Sequence, residues 1–157
     1  SWNNKAWVDD YWIQLAQMLF KKEPELKIFL TFGSKLEQDR VLYFKKICPQ
    51  FEIIDSAGQG LAELLPVLAR AWGIVSVDSG LGHLGLALNT PVIGIYGPTS
   101  PLKTGFWGEK TALCQSSLPC VPCLKKVCKI DPRAKHPPCM QALPPNLVFD
   151  HILKLIG

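Results

Sequence analysis

No apolar run in these 157 residues approaches the roughly 20 residues that a bilayer-spanning helix needs, and the opening SWNNKAWVDD lacks the basic and apolar pattern of a signal peptide. Neither a membrane span nor a secretory leader is expected, and the expected compartment is the cytoplasm. Internal repeats and low-complexity tracts are missing too, which sets aside repeat architectures. Charge is sparse at 19% of residues, and 17 basic against 13 acidic side chains leave a net charge of +4. So modest an excess describes a solvated surface, and no nucleic-acid partner is expected. The first residue is Ser, not Met, which points to a processed or partial sequence. What is present is 48% hydrophobic, enough for one folded domain with a substantial core.

The rest is organised around residues 73–108, GIVSVDSGLGHLGLALNTPVIGIYGPTSPLKTGFWG. An apolar run (Ile74, Val75, Val77) stops at Asp78-Ser79-Gly80, residue types that cap helices and tolerate unusual backbone angles. A helix over His83 to about Leu88 follows, then the stop signal Asn89-Thr90-Pro91, then a second apolar run (Val92, Ile93, Ile95, Tyr96) ending at Gly97-Pro98. Strand, helix, strand is the unit of a parallel sheet. Such a helix points unpaired N–H groups and a positive dipole end into the crevice at the carboxyl edge of the sheet, so the chemistry implied is phosphate binding. Gly80 and Gly82 are expected to let a phosphate approach the backbone, with Gly97, Pro98 and Thr99 as the facing wall. Residues 80–85 also fit the dinucleotide fingerprint GxGxxG, but no acidic residue lies about twenty positions on to hold a ribose, which disfavours a dehydrogenase.

Along the chain, Asp9 or Asp10 is expected to cap a helix to about Lys22, with Trp12, Leu15, Ala16, Leu19 and Phe20 on one apolar stripe. Residues 26–32 and 51–54 read as strands, separated by a helix through Leu36, Tyr43, Phe44 and Ile47. A further helix carries Leu61, Leu64, Leu65, Leu68, Ala69 and Trp72 on one face, with Pro66 inside it as a source of a kink or late start. After Pro98 prolines recur and periodicity fades, so residues 115–145 are expected to be a cysteine- and proline-rich loop segment, preceded by a strand over 111–114. Asn146 is expected to cap a final helix whose face holds Val148, Ile152, Leu155 and Ile156. The fold class expected is α/β, a doubly wound, mostly parallel sheet with helices on both faces.

The loop segment holds Cys120-x2-Cys123-x4-Cys128-x10-Cys139. A CxxC pair lets two thiolates reach one tetrahedral ion and two further cysteines complete a four-thiolate set, so structural zinc leads, ahead of reduced thiols, with disulfides last and an iron–sulfur site less favoured. Cys48 and Cys114 sit in apolar contexts and read as buried thiols. Lys125, Lys126, Lys129, Arg133 and Lys135 cluster in the same segment and read as solvated surface, with anionic lipid or an acidic acceptor as the other reading.

VSVDSGLGHLGLALNTPVIGIYGPTSP followed by TGFWG resembles the most characteristic region of the heptosyltransferases of lipopolysaccharide core synthesis, glycosyltransferase family 9. More weakly, the resemblance extends back to Lys5-Ala6-Trp7 and Trp12 and forward into the cysteine-rich segment. It implies a Rossmann-like domain, residues 1–157 forming the C-terminal, donor-binding half of a GT-B enzyme whose active site lies between two domains. A strand normally precedes the position of Ser1 in that family; its absence here implies that its two sheet neighbours are left unpaired or forced together. By resemblance Asp78, Ser79, Gly80 and His83 bind the nucleotide sugar, Lys5 contacts the phosphates of the leaving nucleotide and Ser1 belongs to the same loop. Glu37 falls where a carboxylate accepts nucleoside hydroxyls, and Gln59 aligns approximately with a base-contacting position.

The implied partners are an ADP-heptose donor, a lipopolysaccharide core or lipid A acceptor, the N-terminal domain of the same enzyme and a peripheral contact at the inner membrane. The reaction implied is inverting transfer of heptose, needing no cofactor for catalysis. No catalytic residue is expected in this chain, because the general base would come from the N-terminal domain, and the chain alone is expected not to turn over. The competing readings are a non-catalytic nucleotide-binding module with a zinc-stabilised interaction surface and a related glycosyltransferase using another nucleotide sugar.

Overall fold

The computed structural model describes residues 2–56 and 60–157, the side chains of Asn3 and Leu61 excepted. A 3-10 turn at Asn3–Lys5 leads into α1 (Asp9–Lys22), after which strands and helices alternate: β1 (Phe29–Phe32), α2 (Lys35–Ile47), β2 (Glu52–Asp55), α3 (Leu61–Arg70), β3 (Ile74–Val77), α4 (Gly80–Ala87) and β4 (Val92–Tyr96). Short helix α5 (Pro101–Thr104), strand β5 (Thr111–Gln115), short helix α6 (Pro138–Gln141) and α7 (Pro145–Ile156) complete the order. Strand pairing is parallel throughout the described residues: β1 with β2, β3 with β4, and β4 with β5.

The strands form two sheets, β1-β2 and β3-β4-β5, with no ladder between β1 and β3. Burial follows this break. All five residues of β4, the central strand of its sheet, are buried, whereas in β3 only Ser76 is and β1 begins with Phe29 at 46% exposure. Of the two arrangements expected for β1 and β3, the structure adopts the one in which they do not pair.

Helix α1 ties the sheets together. Its Leu15 enters the larger core with Trp7, Ile93, Ile95, Met140 and Val148. Its Ile13, Ala16 and Phe20 enter a second core with Phe44, Cys48 and Phe51, and Trp12 packs against both. The amphipathic stripe thus serves two clusters instead of one sheet face.

Several local expectations are corrected. Asp9 is the first residue of α1 rather than its cap: Val8 holds the cap position, and Asp9 is a buried ion-pair centre. Its Oδ1 accepts from Arg40 Nε at 2.9 Å, and its Oδ2 lies 2.6 Å from Lys135 Nζ and 3.6 Å from His136 Nε2. Helix α3 runs unbroken through Pro66 and ends before Trp72, which is 73% exposed. Helix α7 starts on Pro145 with no side-chain cap, so the fixed φ of proline, not Asn146, sets its start. Helix α4 begins at Gly80, a turn earlier than the apolar pattern implied.

Burial acts to raise the Asp9 carboxyl, but hydrogen bonds from Lys135 and Arg40 and their positive charge outweigh it and hold the group below the ordinary carboxylate range. A depressed folded-state pKa stabilises the fold above the unfolded value and is lost as pH falls through the folded one. Asp9→Asn is therefore expected to cost about 2 kcal/mol at neutral pH, the size of a charge-assisted hydrogen bond. In urea unfolding, that difference should vanish once the pH falls below the folded-state pKa.

Candidate nucleotide-sugar site

Strand β3 ends at Val77, and after two intervening residues α4 starts at Gly80. Ser79, at the cap position, has extended backbone angles (φ −148°, ψ 160°) but makes no capping hydrogen bond. Its Oγ instead meets Ser76 Oγ at 2.8 Å. The first N–H groups of α4 therefore carry the positive end of the helix dipole without a cap from the Ser79 side chain. They border a cleft of about 400 Å³, lined on one side by Lys5, Asp78, Ser79, Gly80 and His83 and on the other by Thr99, Ser100, Lys103 and Thr104. That volume falls in the range of small-molecule sites.

Lys5 crosses from the Asn3–Lys5 turn to the foot of β3. Its Nζ donates to the Asp78 carbonyl at 2.7 Å and lies 3.5 Å from Asp78 Oδ2. The same ammonium stands 5.7 Å from the centroid of the Trp2 ring. Asp78 is buried, at 9% exposure, so its carboxylate would repel an anion in the cleft were it unpaired. The ammonium answers that charge, and Lys103 and the helix end then leave the cleft net positive. Behind it, burial first and the Asp78 charge second push the Tyr96 phenol well up, and the protonated hydroxyl donates to the Thr104 carbonyl at 3.0 Å.

The structure thus brings Lys5, Asp78, Ser79, Gly80, His83 and Thr99 to one cleft. His83 is exposed, its ring edge against Phe106 at 4.8 Å between centroids. Glu37 Oε2 accepts from the Gly33 N–H at 2.9 Å while its own N–H donates to Ser34 Oγ at 3.3 Å, so it caps the start of α2, and it is not among the residues that line this cleft. Gly97 is a correction. A Cβ there would fall 2.4 Å from Met140 Sδ and 3.0 Å from Cys139 Sγ, so its bareness serves packing against α6, and Thr99 carries the facing wall. Ser1 and Gln59 lie outside the described residues.

The glycines of GLGHLG divide in the same way. At Gly80 an added Cβ meets nothing within 4 Å, whereas at Gly82 it would lie 2.3 Å from Phe106 Cζ, a ring with 0% exposure. The bareness of Gly82 therefore lets α4 pack on Phe106. Gly82→Ala is expected to cost about 1–3 kcal/mol by overpacking, whereas Gly80→Ala should leave urea unfolding unchanged or slightly improved.

Residue-by-residue reading missed Trp2, Ser100, Lys103, Thr104 and Leu124 in the lining. Lys103 had a local signal, since Pro101 starts a helical turn that places it one turn after Thr99. Leu124 had none: its N–H donates to the Pro98 carbonyl at 2.8 Å, a contact from the loop segment that no local pattern encodes.

In that segment Cys120, Cys123, Cys128 and Cys139 line a second, smaller cavity of about 70 Å³, and all six cysteines are free thiols. Burial chiefly, with Cys123 and Cys128 nearby, pushes the Cys139 thiol up to about 11. Lys135 is engaged by Asp9 at 2.6 Å, so the basic cluster is not uniformly free surface.

An open parallel α/β domain of this kind matches one half of a GT-B glycosyltransferase. The chain belongs to glycosyltransferase family 9 (heptosyltransferase), whose model matches residues 1–134. It is 35% identical over 132 residues to lipopolysaccharide heptosyltransferase 1 of Pseudomonas aeruginosa, covering 84% of this chain and 36% of that protein. To the Escherichia coli protein of the same name it is 32% identical over 115 residues, 73% of this chain and 34% of the relative. Among solved structures it is similar to E. coli heptosyltransferase WaaC with ADP, at TM-score 0.74 and 26% identity over 96% of this chain and 40% of that one. E. coli ADP-heptose lps heptosyltransferase II, at TM-score 0.76 and 20% identity, shares the fold over 98% of this chain and 42% of its own. The chain therefore spans about a third of the length of these curated relatives and about two-fifths of the solved chains.

Proposed function

We propose that this chain is the donor-binding half of an enzyme that transfers heptose from ADP-heptose to the inner core or lipid A region of lipopolysaccharide, with inversion at the anomeric carbon. The observation that carries the reading is Lys5 meeting Asp78 at the uncapped start of α4. As an acceptor hydroxyl attacks the anomeric carbon, charge grows on the departing diphosphate, and donors fixed where that charge develops lower the barrier. The Gly80 end of α4 and the Lys5 ammonium are such donors, with Thr99 and Ser100 as hydroxyl partners on the facing wall. Support for ADP-heptose comes from similarity to WaaC, solved with ADP and with ADP-2-deoxy-2-fluoro heptose.

The acceptor and the general base are assigned to an N-terminal domain. Among the described residues no helix is long and apolar enough to cross a membrane, and the reading places the enzyme on the cytoplasmic side, in peripheral contact with the inner membrane through exposed basic residues such as Lys125 and Lys126. The test is a chimera joining this chain to the part of the P. aeruginosa heptosyltransferase that it does not cover. ADP release coupled to heptose transfer onto a heptose-deficient acceptor is expected. A folded chimera that binds ADP yet transfers nothing would leave a nucleotide-binding module.

A further inference from the structure

Four sulfurs separated by up to 19 positions in sequence converge on one cavity of about 70 Å³, far too small for a nucleotide and suited to an ion. Cys139 reaches it from α6, with its side chain buried, and Cys120, Cys123 and Cys128 reach it from the loop. Asn4 lines the same cavity and is 91% buried by its 9% exposure. Its Nδ2 donates to the Lys125 carbonyl, but its Oδ1 is the buried side-chain polar atom left without a partner among the described residues. An orphaned buried acceptor beside a cavity marks a place for a cation or an ordered water. An all-sulfur donor set selects a thiophilic ion, and four thiolates about one centre is the usual set for structural zinc.

We propose that Cys120, Cys123, Cys128 and Cys139 bind one structural Zn²⁺ that clamps the loop to α6, beside the Asn3–Lys5 turn, and so braces the wall of the nucleotide cleft. Each thiol gives its proton to solvent on binding. Among the described residues no three His, Cys, Asp or Glu side chains already stand in coordinating positions, so binding draws the sulfurs inward. The exposed Cys120 and the half-buried Cys123 and Cys128 have room to turn. The bracing follows from shared walls. Asn4 and Pro98 line the thiol cavity, while their sequence neighbours Lys5 and Thr99 line the cleft. Leu124, between two of the cysteines, borders the cleft and donates its N–H to Pro98. The metal is argued without the nucleotide reading; only the importance of bracing that wall rests on it.

The test uses the full chain, purified with and without added Zn²⁺, and a Co²⁺-loaded sample. Expected are one metal per chain, the thiolate charge-transfer and d–d bands of a tetrahedral four-sulfur cobalt site, and at least tenfold weaker zinc binding in Cys123→Ser and Cys128→Ser but not in Cys48→Ser. Chelation is expected to speed amide hydrogen exchange at residues 2–5 and at Thr99 and Ser100, a readout that needs no ADP. A folded parent chain that takes up no zinc, or gives a cobalt spectrum without thiolate bands, overturns the site whatever the variants do. Zinc bound with exchange unchanged on its removal overturns the bracing.

Discussion

Alanine at Lys5 is expected to weaken ADP binding by about 10- to 100-fold, the worth of a charge-assisted hydrogen bond to the diphosphate. Two effects add in the same direction. The cation facing the anion is lost, and the Asp78 carboxylate, which Lys5 Nζ approaches at 3.5 Å, is left facing the cleft. The second effect makes the prediction specific. Asp78→Asn placed on the Lys5→Ala background should recover part of the affinity, because it removes the uncovered repulsion. On the parent it should weaken binding, because it loosens the lysine. A double-mutant cycle read by calorimetry distinguishes this coupling from two independent losses, which would simply add.

The largest loss of stability is expected from Trp7→Ala, about 3–5 kcal/mol in urea unfolding, as for other large aromatics truncated in a core. Trp7 has 0% exposure. Its ring meets Tyr11 and Trp12 edge-on at 5.6 and 4.9 Å between centroids, and its Nε1 donates to the Leu143 carbonyl at 2.8 Å. Truncation opens a cavity and leaves a buried carbonyl unpaired. Against the usual net stability of about 5–15 kcal/mol this takes much of the margin. Trp7→Phe keeps most of the packing and forfeits mainly the hydrogen bond, so about 1–2 kcal/mol is expected. Trp7 stands two positions after Lys5, and its anchorage to Leu143 holds the turn that delivers the lysine. Trp7→Phe should therefore weaken ADP binding more than a core substitution of equal stability cost elsewhere, such as Phe51→Leu.

What the sequence made legible is local. The order of strands and helices follows from apolar runs punctuated by Asp78-Ser79-Gly80 and Asn89-Thr90-Pro91, because each stop signal acts on neighbouring backbone. The cleft was legible for the same reason: Asp78, Ser79, Gly80 and His83 are consecutive or one turn apart. What failed depends on distant partners. The packing of Gly82 on Phe106, far along the chain, has no local signal. Leu124 and Trp2 enter the lining through contacts that no periodicity encodes. Apolar pattern also reports burial, not pairing, and so leaves open whether β1 and β3 join; the structure keeps them apart.

The central claim is that the uncapped start of α4, with Lys5 and Asp78, forms a site for the ADP portion of the donor. Calorimetric titration of the parent chain with ADP, using UDP as control and Lys5→Ala as a matched sample, tests it most directly. Saturable binding of ADP in preference to UDP, weakened at least tenfold by Lys5→Ala, is predicted. A chain shown to be folded by cooperative unfolding that binds neither nucleotide, or binds ADP equally well without Lys5, would contradict it.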